Sequence, residues 1–190
     1  MSNTNFHHMV GAALLAAIMA VLSQFAFPIG PVPITLQTFV CALAGGVLGW
    51  RWGTIAIAIW LLLGAIGIPI LTAGKAGFGI FASPVGGYYL GFLVMAAFSG
   101  ICVAEKGKYV RQISLALAGL IACYVLGTLW FMAYFYFGLH KSMPLWQALT
   151  LTVFPFVVFD VIKIVLGVLC GTQIRHALQN AGYFLSENKK

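Results

Sequence analysis

Acidic side chains are nearly missing from this chain: Asp and Glu together number three among 190 residues, and charged residues of both signs make up only 7%. A soluble domain carries roughly 25% charged residues, so a water-facing surface cannot be built and a soluble globular protein is excluded. Cysteine is scarce too. Cys41, Cys102, Cys123 and Cys170 include no C-x-x-C pair and have no histidine cluster beside them, which indicates neither a disulfide framework nor a metal site; in apolar segments they read as buried free thiols. Catalytic signatures are absent: the sequence holds no HExxH, no GxSxG and no paired intramembrane aspartates. Gly74-Lys75 has the look of a phosphate loop, but that motif needs Gly at Pro69 and Ser or Thr at Ala76. No nucleotide site is encoded, and any energy from ATP would have to come from a partner chain.

What the chain does have is apolar length. Hydrophobic residues make up 62% of it, in long runs broken by short Gly, Pro or basic patches, the pattern of a bundle of membrane helices in one domain. At about 20 apolar residues per span, helices are expected near 9–27, 37–50, 52–71, 85–104, 112–138 and 146–173. The second is short for a crossing at 1.5 Å per residue and needs help from its neighbours. The first run lacks a basic n-region and a small-residue cleavage site, so it is expected to be retained as a helix.

The formal charge of +7 does not point to nucleic acid, because nine of the ten Lys and Arg residues sit scattered at the ends of apolar runs. Their placement carries topology instead. Arg51, Lys106, Lys108, Arg111, Arg175, Lys189 and Lys190 fall on one side, against Lys75 and Lys141 on the other, so the positive-inside rule predicts cytoplasmic termini. Two of the outer loops are unusual. Pro28 to Leu36 holds three prolines and no charge, a composition for a stiff extended segment. Thr72 to Pro84 mixes Gly with Phe. Apolar non-helical backbone at this depth either packs into the bundle's mouth as a lid or lies along the headgroups.

The exceptional charge is Asp160, set with Lys163 inside the apolar run that starts at Val153. A charge at bilayer depth costs at least about 2.5 kcal/mol on insertion scales and is by default a functional candidate with a partner. Three apart on a helix, the two residues share a face, joined one turn upstream by Phe156, with Pro155 breaking the ladder nearby. Two readings stand. The charges neutralise each other and do nothing more, or they meet a small polar-headed ligand that offers N–H donors to the carboxylate and an acceptor to the ammonium. A proton relay would want further intramembrane carboxylates or histidines; Glu105, Glu187, His7, His8, His140 and His176 all lie at predicted ends or loops.

Two further clusters are open in the same way. Ala12, Ala16 and Ala20, with Ala13 and Ala17 in a parallel register, give helix one the small-xxx-small spacing that admits a close neighbour, either a partner chain or another helix of this bundle. The run Gly86-Gly87-Tyr88-Tyr89-Leu90-Gly91-Phe92 suits a headgroup belt or a pocket wall.

Taken in order and spacing, Pro33-Ile-Thr-Leu-Gln-Thr38, Gly67-Ile-Pro69, Pro84 to Phe92 and Phe154 to Lys163 resemble the BioY family, the biotin-specific S components of energy-coupling factor (ECF) transporters. The likeness runs nearly the whole chain, with departures at Ser83 and Phe159, where the family tends to have Gly. It implies an all-α integral membrane protein of six transmembrane helices in the S-component fold, lying in the cell membrane. It implies capture of biotin from outside, with no resident cofactor and no enzymatic activity. The partners it implies are a transmembrane coupling subunit, docked on Ala12, Ala16 and Ala20 of helix one, and a pair of cytoplasmic ATPases. For the site, the resemblance and the residues together lead to one expectation. Asp160 accepts ureido N–H bonds, while Lys163 polarises the ureido oxygen or balances the carboxylate. Tyr89, Phe92 and Phe156 supply apolar walls, with Gly86 where helix four opens. Thr35, Gln37 and the backbone of Ala73 and Gly74 close around the valerate end. Competing readings are an S component for a different vitamin and a structural or channel-like helical protein whose ion pair binds nothing.

Overall fold

A computed structural model describes residues 3–29, 32–103 and 109–183. Glu105, Lys106, Lys108, Glu187, Lys189 and Lys190, which figure in the orientation and relay arguments, lie outside the described residues. The elements run α1 (Asn3–Leu22), β1 (Ala26–Ile29), β2 (Val32–Thr35), α2 (Gln37–Ala65), α3 (Gly86–Ile101), α4 (Val110–Ala133), α5 (Leu145–Thr152) and α6 (Val157–Asn180). Among the described residues, four stretches are long and apolar enough to cross a membrane: Asn5–Leu22, Gln37–Ala65, Val110–Gly138 and Val157–Asn180.

Length alone misleads for the second of these. Gly49 takes φ 79° and ψ 178° in the middle of α2, a backbone state that L-residues other than Gly rarely hold. A Cβ on Gly53 would lie 2.8 Å from the Ala44 carbonyl oxygen, whereas nine residues of straight helix would separate the two by about 13 Å at 1.5 Å per residue. The chain therefore doubles back at Gly49. α2 is two arms, corresponding to the expected helices at 37–50 and 52–71, so that, with the short α5 set aside, six helical rods are present among the described residues. The second arm stops at Ala65, short of the expected 71, because Gly67 turns at φ 109° with Pro69 just beyond.

Three other expectations are adjusted. α1 begins before residue 9 and ends at Leu22, because Ala26 onward pairs as a strand. The proline-rich segment expected to be merely extended is an antiparallel hairpin in which Pro28 faces Pro33; a rung of two prolines fits a ladder position that needs no N–H donor. The expected helix 146–173 is broken by the turn Val153–Phe156 around Pro155, leaving short α5 and long α6. That break puts Asp160 in the first turn of α6, where the helix dipole favours a carboxylate.

Between apolar helices in lipid there is little hydrophobic drive, so close backbone approach carries the packing. The first arm of α2 meets α6 through glycine: a Cβ on Gly167 would lie 2.7 Å from the Phe39 carbonyl, and one on Gly46 would lie 3.3 Å from the Gly171 Cα. This contact brings the first turn of α2 against the first turn of α6. At the same end gather the hairpin, the loop from Ile66 to Val85 and the start of α3. At the opposite end lie the Gly49 turn and Arg175, which is buried and donates to the Val47 carbonyl at 3.3 Å.

Candidate functional site

The hairpin end holds a chamber of about 80 Å³, several times the roughly 10–15 Å³ that one water needs. Its floor is the ion pair. Lys163 Nζ lies 2.5 Å from Asp160 Oδ1, and the two side chains keep 14% and 8% of their surface accessible, so a ligand in the chamber can reach both. Thr38, in the first turn of α2, donates to the same Oδ1 at 2.9 Å, and Tyr124 of α4 donates to Oδ2 at 2.6 Å. Lys163 also donates to the Thr35 carbonyl at 2.7 Å, tying α6 to the end of β2.

Counting valences shows what is left. A carboxylate has about four lone-pair positions and an ammonium three donors. Three positions on Asp160 are taken by Thr38, Lys163 and Tyr124, and two donors on Lys163 by Thr35 and Asp160. One acceptor on Oδ2 and one N–H on Lys163 remain, on two residues that both line the chamber. The pair is both self-neutralised and able to meet a neutral group that carries one donor and one acceptor.

Above the floor runs a chain of hydrogen bonds. Thr35 Oγ1 donates to Gln37 Oε1, the Gln37 amide donates to Thr72 Oγ1, and Tyr89 donates to that same hydroxyl, each at 2.8 Å. Thr72 thus accepts two bonds and keeps its own proton unspent among the described residues. Apolar walls come from Val32, Val85, Phe92, Leu120 and Phe156. Tyr89 packs edge-on to Phe92 at 6.1 Å and to Phe81 at 5.7 Å, with Trp60 behind at 5.9 Å, a rigid aromatic wall of the kind that holds a flat apolar body.

Seven residues singled out from sequence line this chamber together: Thr35, Gln37, Tyr89, Phe92, Phe156, Asp160 and Lys163. Ala73 and Gly74 do not line it; their N–H groups are spent on the Ser23 and Leu71 carbonyls, both at 3.0 Å. Gly86 is buried outside it, where its missing side chain lets α3 start against the Phe81 carbonyl and Trp130. The docking expectation on helix one needs correction. Ala12 and Ala16 are buried in the chain's own core at 1% and 4% exposure, and Ala20 packs partly against it, because that register faces α2. Ala13 and Ala17 form the exposed register.

Sequence reasoning missed Thr38, Thr72, Lys75 and Tyr124. Tyr124 carried a signal, a hydroxyl in mid-helix within an apolar run, and Thr38 closed a motif already noticed. Thr72 and Lys75 carried none, since only the fold of the loop brings them to the chamber.

A family model described as the BioY family matches residues 1–180. The chain is 37% identical over 187 residues to "Biotin transporter BioY2" of Lactococcus lactis subsp. cremoris, covering 98% of this chain and 100% of that one. It is 34% identical over 167 residues to "Biotin transporter BioY" of Thermotoga maritima, covering 88% and 95%. Among solved structures it is similar to the S-component for biotin from an ECF-type ABC transporter, with a TM-score of 0.81 and 28% identity over 93% of this chain and 94% of that chain.

Proposed function

Since the chain belongs to the BioY family, we propose that it is a biotin-binding S component of an ECF-type vitamin uptake transporter. It is not an enzyme; it binds and delivers. The chamber end faces outward from the cell membrane, and both termini face the cytoplasm, in keeping with Arg51, Arg111 and Arg175 at the opposite end. A transmembrane coupling subunit and two cytoplasmic ATPases supply the energy that this chain lacks the motifs to harvest.

The observation that carries this reading is the paired vacancy on the floor. Biotin's ureido group offers N–H and C=O side by side, matching the one acceptor left on Asp160 and the one donor left on Lys163. Hydrogen bonds to charged partners contribute about 1.5–3 kcal/mol each. The fused rings lie against Phe92, Tyr89 and Phe156, and the valerate chain runs up past Gln37 and Thr72 towards the rim. Breaking the helix at Pro155 serves this arrangement by placing Asp160 in the first turn of α6, where the helix dipole stabilises its carboxylate.

Isothermal titration of the detergent-purified chain with biotin tests the reading. One saturable site per chain is expected, lost or strongly weakened in Asp160→Asn and Lys163→Met variants that remain folded. Variants that bind like the parent, or a vitamin panel in which another vitamin and not biotin raises the melting temperature, would overturn it.

A further inference from the structure

Lys75 and Lys163 are the two cations that line the chamber, and their surroundings differ. Lys163 is held by Asp160 and the Thr35 carbonyl. Lys75 has no ion pair and no side-chain hydrogen bond among the described residues, and its side chain is exposed. The one acid that lines the chamber, Asp160, is already paired with Lys163 and held by Thr38 and Tyr124.

Its backbone, by contrast, is fixed. The Lys75 carbonyl accepts from the Leu71 N–H at 3.0 Å, and its own N–H donates to the Thr72 carbonyl at 3.3 Å. Ala73 and Gly74 turn the chain between them at φ 56° and 73°, and Leu71 is fully buried. An exposed cation thus stands on an anchored base, in the same chamber lining as the Thr72 hydroxyl with its unspent proton. The chamber is polarised from end to end. Its floor is a neutralised pair suited to a neutral polar group, and its rim offers an ammonium and a hydroxyl donor, suited to an anion.

The geometry points to Lys75 as a specificity-determining residue that selects ligands ending in a free carboxylate, so that the chain prefers biotin to its neutral amides and esters. This rests on the vitamin reading of the same chamber and adds to it which form of the vitamin is accepted. Because the rim is exposed, screening limits the effect. About tenfold discrimination is expected, weakening as salt is raised from 0.05 to 0.5 M and the Debye length shortens.

Titration of the parent chain, Lys75→Gln and Lys75→Arg with biotin and with biotinamide, its neutral isostere, tests the assignment. The parent is expected to bind biotin about ten times more tightly than biotinamide. Lys75→Gln should lose that preference through weaker biotin binding while binding biotinamide unchanged, and Lys75→Arg should restore it. Equal affinities in the parent, or a preference that survives in Lys75→Gln, overturn the role of Lys75 and leave the biotin site standing. Failure of the parent to bind either compound removes both readings.

Discussion

Tyr124 of α4 donates a 2.6 Å hydrogen bond to the Oδ2 of Asp160 on α6, across 36 positions of sequence. With Thr38 and Lys163 holding Oδ1, the carboxylate is fixed in rotation and keeps one lone-pair position in a residue that lines the chamber.

Tyr124→Phe removes that restraint and keeps the ring. Hydrogen bonds to charged groups contribute about 1.5–3 kcal/mol, and part of that is preorganisation for ligand. The variant is expected to fold, to melt a few degrees lower, and to bind biotin about tenfold more weakly by isothermal titration. Unchanged affinity would mean that the rotation of Asp160 does not limit binding.

Gln37 is the middle of the chain of bonds joining the hairpin, through Thr35, to the loop carrying Thr72 and Lys75. Gln37→Met breaks both links at similar volume and leaves the buried Thr35 hydroxyl without its acceptor, at a cost of about 1–3 kcal/mol. Both loops border the chamber, so loosening them from each other is expected to speed release. In stopped-flow measurements, biotin dissociation should rise about tenfold or more, with association changed far less. An equal fall in both rates would argue against this linkage of the loops.

The six long rods were legible in the sequence as apolar runs ended by Gly, Pro or a basic patch, though the break that sets α5 apart from α6 was not. The ion pair was legible because a charge in such a run is costly and therefore noticeable. Less visible was everything decided by contact between distant segments. A glycine at 49 is ordinary in sequence, and only its φ of 79° and the packing of Gly53 on Ala44 reveal a reversal. The two alanine registers of α1 are indistinguishable by spacing; α2 packing against one of them decides which is buried. Thr72 and Lys75 reach the chamber through a loop whose composition says little about its path.

That register assignment has its own consequence. Ala13 and Ala17 lie on the exposed side of α1 with Leu14, Ile18 and Val21, the side on which a coupling subunit could approach closely. Ala17→Trp is expected to abolish copurification with a coupling module while leaving biotin affinity of the isolated chain within twofold. Ala16→Trp, which overfills the chain's own core, should lower the melting temperature instead. If both variants copurify normally, this face of α1 is not the docking surface.

The two readings of the ion pair separate in a double-mutant cycle. If Asp160 and Lys163 served only to neutralise each other, removing either alone would strand a buried charge at a cost of about 3–5 kcal/mol, and replacing both with apolar groups would recover most of it. Ligand binding obeys different arithmetic, because biotin needs the acceptor and the donor at once. In Asp160→Leu/Lys163→Met the melting temperature is therefore expected to exceed that of either single variant, while biotin binding is absent from all three. Thr38 and Tyr124 would then lose their acceptor, so the recovery should be partial, and adding Tyr124→Phe to the pair should raise the melting temperature further. Biotin binding by the stable double variant would show that the pair holds the fold together and does not hold the vitamin.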